Sequence, residues 1–166
     1  MSPDDLAHCL RPTFTARIAK HLANGTSVNL IGKPGQGRGR LLSDLAGLPG
    51  DEVLWLSVSM KTCRGSFAGL LSQLWERSGL DGIRPGDLGR LTRRLEDSGR
   101  RVVFLFHHFD AILDNPDGDS KYDVRFLDHL NALHVRGMAL VCVTPKPYSD
   151  YVLVSGDKVH RGSTLD

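Results

Sequence analysis

The chain has 166 residues, of which 40% are apolar and 24% charged, with a formal net charge of +2. That length suits one domain whose core folds without disulfide or metal staples, and the composition excludes a disordered, collagen-like or coiled-coil chain. So small a net charge excludes a partner selected by bulk charge alone.

Residues 1–10 carry Asp4 and Asp5 and no apolar run, and no stretch of the chain approaches ~18 consecutive apolar residues, so neither a secretory signal nor a membrane span is expected. Cys9, Cys63 and Cys142 are an odd number of cysteines at unrelated spacings, which reads as reduced thiols and a cytoplasmic setting.

Phe14, Ile18 and Leu22 recur at helical spacing after Thr13, a candidate cap, and Asn24-Gly25 stops that helix. A short strand over residues 27–31 runs into a glycine-rich loop at 32–39. Leu41, Leu42 and Leu45 then open a second helix that ends near Gly47. A strand at 53–58 follows Pro49-Gly50. After it come a helix with the stripe Phe67, Leu70, Leu71, Leu74 and Trp75, and another over 87–97 that Asp87 caps and Leu88, Leu91 and Leu95 face inward. The uninterrupted apolar run Val102-Val103-Phe104-Leu105-Phe106 predicts a central strand covered on both faces. A helix holding Val124, Leu127, Leu130 and Leu133 precedes a strand at 138–143, and residues 151–154 predict a fifth strand. Strands alternating with helices predict an α/β fold, a three-layer α/β/α sandwich around a mostly parallel five-stranded sheet. The expected organisation is an N-terminal extension (1–12), a core (13–154) and a C-terminal tail (155–166).

The loop reads Gly32-Lys33-Pro34-Gly35-Gln36-Gly37-Arg38-Gly39. It has the spacing of the phosphate-binding pattern G-x-x-x-x-G-K-[ST], in which backbone N–H groups and a helix N-terminus cradle phosphate. Arg38 stands where the lysine of that pattern would be, and Gly39 where the magnesium-binding hydroxyl would be. A guanidinium is a wider donor than an ammonium and does not fill the same slot. Lys33, Arg38 and Arg40 are the cations available to grip phosphate.

Phosphate-loop enzymes end an apolar strand in carboxylates that hold the magnesium shell and polarise water. Here His107 and His108 follow Phe106, and Asp110 reaches that place only if the backbone turns back. Two imidazoles and a carboxylate are adequate zinc ligands. Adjacent residues at a strand end point to opposite faces, however, so one packed and one exposed histidine is expected, and no metal site. The turn at 114–120 has the acidic spacing of a calcium loop but Arg125 at its twelfth place, so a solvated turn is expected. Arg90, Arg93, Arg94, Arg100 and Arg101 gather around one helix and its exit, a surface that would attract a nucleic-acid backbone.

Taken in order, these motifs resemble the AAA+ and STAND branch of the P-loop NTPases (ASCE class), over about residues 13–155. The resemblance implies Gly32 and Gly37 as phosphate-loop residues and Thr144 as the polar sensor at the end of the fourth strand, with ATP and Mg²⁺ as the cofactor such a loop would take; Gly35 is a further glycine of the same loop. Among catalytic candidates, His107, His108, Asp110 and Thr144 occupy the relevant places; Arg38, Gly39, His107 and His108 depart from the family's pattern on the groups for phosphate, magnesium and water. With so few residues after Thr144, the family's helical lid is expected to be missing from this sequence. The expectation is a pseudo-ATPase with weak or absent ATP binding that acts through a protein partner or a homo-oligomer, with Trp75, Tyr148 and Tyr151 as anchors. The alternatives are an atypical ATPase using Lys33, Arg38, Arg40 and Asp110, and a nucleic-acid-binding accessory protein.

Overall fold

The computed structural model describes residues 1–155 and 158–161. Helix α1 (Pro12–Ala23) has proline at its first helical position, where the fixed φ suits a helix start and the missing N–H costs no hydrogen bond. Arg11 therefore occupies the cap position expected of Thr13. Strand β1 (Val28–Ile31) leads through the loop to α2 (Arg38–Ala46), and β2 (Val53–Ser59) through the short α3 (Met60–Cys63) to α4 (Phe67–Ser78). Helix α5 (Leu88–Asp97) begins where the Asp87 carboxylate accepts the Arg90 N–H at 2.8 Å, as its sequence predicts. Then follow β3 (Arg101–His107), α6 (Val124–Asn131) and β4 (Ala139–Thr144).

These four strands form one parallel sheet in the order β1-β4-β3-β2. β3 is central and β4 is buried along its length, as expected of strands covered on both faces. One face packs Leu56, Leu70, Leu74, Leu91, Phe104, Phe106 and Leu130 into the larger core. The other packs Ile18, Leu22, Leu41, Leu45, Leu105 and Val141 against α1 and α2. Each fully buried Leu or Phe contributes about 1.5–3 kcal/mol relative to exposure. The helices therefore clamp the sheet from both sides and fix where its strand ends lie.

The fifth strand is a correction. β5 (Val152–Ser155) pairs antiparallel with β6 (Lys158–Arg161) in a separate two-stranded sheet. Only residues 145–151 separate it from β4, and a parallel crossover needs a dozen or more. The hairpin spans the expected core–tail boundary at 154/155.

The acidic turn at 114–120 is held rather than free. Asp119 accepts the Phe67 N–H at 2.7 Å and the Lys121 N–H at 3.0 Å, while its own N–H donates to the Arg64 carbonyl at 2.9 Å. One of its carboxylate oxygens is thus spent on the first turn of α4 instead of a cation. All three cysteines are buried and none forms a disulfide among the described residues. No helix among the described residues is long and apolar enough to cross a membrane.

Candidate phosphate-loop site

The parallel register brings Ile31 beside Thr144, Phe106 beside Cys142, and Ser59 beside His107. Because β4 lies between β1 and β3, the loop after β1, the His-His-Phe-Asp segment after β3 and Thr144 all meet at the carboxyl edge of the sheet, where open α/β sheets place their ligands.

The loop leaves the sheet directly, since Gly32 N–H still donates to the Thr144 carbonyl at 3.0 Å. Pro34 and Gly35 are the central residues of a turn closed by Gln36 N–H on the Lys33 carbonyl at 3.3 Å. Gly35 (φ 85°) and Gly37 (φ 77°, the residue before α2) lie in the left-handed region that only glycine enters without strain. Gly32 is crowded by side chains instead. A Cβ there would sit 3.0 Å from Gln36 Oε1 and 3.3 Å from Arg38 Cδ, so two side chains cross this glycine. Gln36 Oε1 accepts the Lys33 N–H at 2.7 Å, satisfying within the loop a donor of the kind a phosphate oxygen would use. The sequence offered little warning of Gln36 beyond an amide at the loop's fifth place.

Gly39 faces His107: a Cβ at 39 would lie 3.4 Å from the imidazole Cε1. The ring thus stands over the helix position where the phosphate-loop pattern carries its metal-binding hydroxyl. Arg40 is directed away from the loop, with Nε 2.6 Å from Asp44 Oδ1 and Nη2 2.7 Å from the His8 carbonyl.

His107 and His108 do not point to opposite faces. Strand β3 ends at His107, and His108 takes a left-handed backbone (φ 52°, ψ 46°), which swings its ring back onto its neighbour. The two imidazoles stack with centroids 3.9 Å apart and planes at 21°, both half-buried. Desolvation pushes both below the ordinary histidine range. The His108, Arg38 and Lys61 charges reinforce this at His107, and Lys61 and Arg38 do so at His108, with Asp110 opposing in both cases. In near-parallel rings the nitrogen lone pairs also run in near-parallel planes, a poor arrangement for converging on one ion.

Asp110 lies in a short 3-10 turn, Phe109–Ile112, with Oδ1 buried and without a hydrogen-bond partner among the described residues. Thr144 is buried, and its hydroxyl donates to the Lys146 carbonyl at 2.7 Å. Lys146 N–H donates in turn to the Tyr151 hydroxyl at 3.2 Å, and Tyr151 is buried, its hydroxyl pushed up mainly by that burial. Neither Lys61 nor Tyr151 is placed here by spacing in the sequence. Lys61 arrives through the pairing of β2 with β3, and Tyr151 through the chain's turn after β4. A cleft of about 250 Å³ borders the loop on the open side of β1, lined by Arg11, Phe14, Ile31, Gln36 and Arg38 among others.

Mg²⁺ coordination fits this donor set poorly. Residue 39 has no hydroxyl, imidazoles take the two strand-end positions, and a hard cation favours oxygen ligands. Trp75, expected as an exposed anchor, is buried beneath the Arg94 guanidinium, 5.8 Å from its ring, and Tyr151 is buried as well. The side chain of Tyr148 lies outside the described residues.

The arginines lie at the opposite end of the sheet from the loop, where α5 gives way to the start of β3. Arg94 also donates to the Asp81 carbonyl at 3.3 Å, Arg100 to those of Asp51 and Val53 at 2.9 and 3.3 Å, and Arg90 pairs with Asp87 at 3.4 Å. Arg93 and Arg101 are exposed.

No family model matches the sequence, and no curated protein does. Solved structures do. One is the Drosophila ORC bound to DNA (TM-score 0.65, 11% identity, 89% of this chain and 40% of that one). Others are the Aeropyrum pernix ORC1 protein in complex with DNA (0.56, 20%, 86% and 41%) and the Aeropyrum pernix ORC2 protein in ADPNP–ADP complexes (0.57, 15%, 81% and 41%). The chain spans about two fifths of the length of these proteins. At such identities the likeness is one of fold, the AAA+ P-loop NTPase fold.

Proposed function

We propose that this chain is a non-hydrolysing AAA+-type domain, a pseudo-ATPase with weak or absent ATP binding that acts as a regulatory or protein-interaction module. The observation that carries this reading is His107 over Gly39. It sets an imidazole at the helix turn where phosphate-loop enzymes hold magnesium, and hydrolysis in that class depends on the metal to neutralise charge developing on the phosphates. Gln36 on the Lys33 N–H, Thr144 on Lys146 and Arg40 on Asp44 point the same way, because each commits a group that the atypical-ATPase reading would use or need free. For contact with a protein partner or a second copy, Ile83 (95% exposed) and Val135 (77%) take the place of the buried Trp75 and Tyr151 as apolar anchors.

Phosphate release with ATP and Mg²⁺, measured beside the nucleotide-induced shift in Tm, tests the reading. No turnover and little or no shift are expected. Magnesium-dependent turnover lost in Arg38→Ala would establish the atypical ATPase instead.

Nucleic-acid binding is the second reading. Exposed Arg93 and Arg101 favour it, as do two fold neighbours solved with DNA. Duplex binding that weakens steeply with salt, with a slope reduced by about one for each arginine replaced, would support it. Absent or salt-insensitive binding would remove it.

A further inference from the structure

The N-terminal segment carries a second cluster, away from the loop's mouth and independent of the nucleotide reading. His8 Nε2 lies 3.5 Å from Cys9 Sγ and 2.9 Å from the Asp44 backbone carbonyl. One donor atom each from His8, Cys9 and Asp44 lies within 4.8 Å of the others. Cys9 and Asp44 are buried, while His8 is exposed and open to an entering ion.

In a tetrahedral zinc site with Zn–S near 2.3 Å and Zn–N near 2.0–2.1 Å, the sulfur–nitrogen edge is about 3.6 Å. The observed 3.5 Å between Cys9 and His8 matches it. From this geometry we propose that His8, Cys9 and Asp44 form a zinc site, with water in the fourth position. An imidazole, a thiolate and one carboxylate suit zinc better than magnesium or calcium, which favour all-oxygen shells.

Asp44 already accepts from Arg40 Nε at 2.6 Å and Leu10 N–H at 3.0 Å, and a carboxylate has about four lone-pair sites, so capacity remains for a metal. Cys9 releases its proton to solvent on binding. His8 stays neutral, with its ring proton moved from Nε2 to Nδ1. Thiolate and carboxylate then balance the dication. Arg40 is the opposing charge, and its guanidinium, held by Asp44 Oδ1 and the His8 carbonyl, has its half-exposed side chain screened by water. The ion ties the N-terminal segment to α2, the helix that rises from the glycine-rich loop.

The test is titration of the reduced, metal-free full chain with Zn²⁺ against a chromophoric chelator, and with Co²⁺ as a spectroscopic stand-in. One equivalent of zinc is expected, with a thiolate-to-cobalt charge-transfer band and a zinc-dependent rise in Tm. Cys9→Ser should erase the band and weaken zinc binding by about 100-fold or more, at or beyond the upper end of second-shell effects. His8→Gln, at an exposed position, should do the same to affinity, and Cys63→Ser should change neither. Absence of stoichiometric binding, or native affinity retained in either Cys9→Ser or His8→Gln, overturns the proposal.

Discussion

A Cβ on Gly39 would meet the His107 imidazole at 3.4 Å, so the glycine that breaks the phosphate-loop pattern and the histidine that breaks the strand-end pattern are neighbours. The two departures lie 68 positions apart in sequence, at 39 and 107. In space they alter one place, the first turn of α2.

Replacing Arg38 by lysine restores a compact charge to the loop. One charge-assisted hydrogen bond contributes about 1.5–3 kcal/mol, so Arg38→Lys should tighten ATP binding about tenfold or more by calorimetry. Phosphate release should stay absent, since His107 and His108 still occupy the carboxylate positions. Turnover in this single variant would show that the histidine pair does not block chemistry.

The loop glycines should separate into two classes on substitution by alanine. Gly35→Ala and Gly37→Ala force a side chain into the left-handed region and should each cost about 1–2 kcal/mol. Gly39→Ala meets only ordinary van der Waals contact, in a helix where alanine is favoured by up to about 1 kcal/mol, and should be neutral or stabilising. Urea unfolding of the three variants decides; equal losses at 37 and 39 would contradict the loop geometry.

His107 and His108 have folded-state pKa values below the unfolded one, with desolvation the main cause. The unfolded chain therefore binds more protons as pH falls through the ordinary histidine range, about 6.5, and stability drops there, while above it the pair has no effect. Tm should decline between about pH 7 and pH 5, and His107→Gln and His108→Gln should each flatten the slope. His129, lowered chiefly by its own burial, adds to the same window, so His129→Gln is the parallel control. A slope unchanged by all three substitutions would count against the burial of these rings.

Tyr122 is buried, and its hydroxyl donates to the Cys63 carbonyl at 2.7 Å, joining the turn before α6 to the end of α3. Tyr122→Phe keeps the ring contacts with Phe67 and Phe126 but leaves that carbonyl without this donor. A loss of about 1–3 kcal/mol is expected in denaturant unfolding. A neutral result would mean that water reaches the carbonyl.

Much of the fold is legible in the sequence because hydrophobic spacing reports burial directly. The uniform run Val102-Val103-Phe104-Leu105-Phe106 is the central strand, and Leu88, Leu91 and Leu95 are the buried stripe of α5. Asp87 is legible as a cap because capping needs only a residue and the amide three places on. The fifth strand was misplaced because apolar character at 152–154 marks a strand without naming its partner, which the short connection after β4 decided.

The sequence by itself determined the α/β alternation, the glycine-rich loop between a strand and a helix, and which expected groups were replaced at 38, 39, 107 and 108. These follow from periodicity and spacing, which are local. Only the tertiary structure decided that His107 and His108 stack, that Gln36 turns inward on Lys33, that Arg40 serves Asp44 rather than the loop, and that His8 and Cys9 lie against α2. Each of these depends on a backbone turn or a long-range packing contact, and one-dimensional spacing carries no record of either.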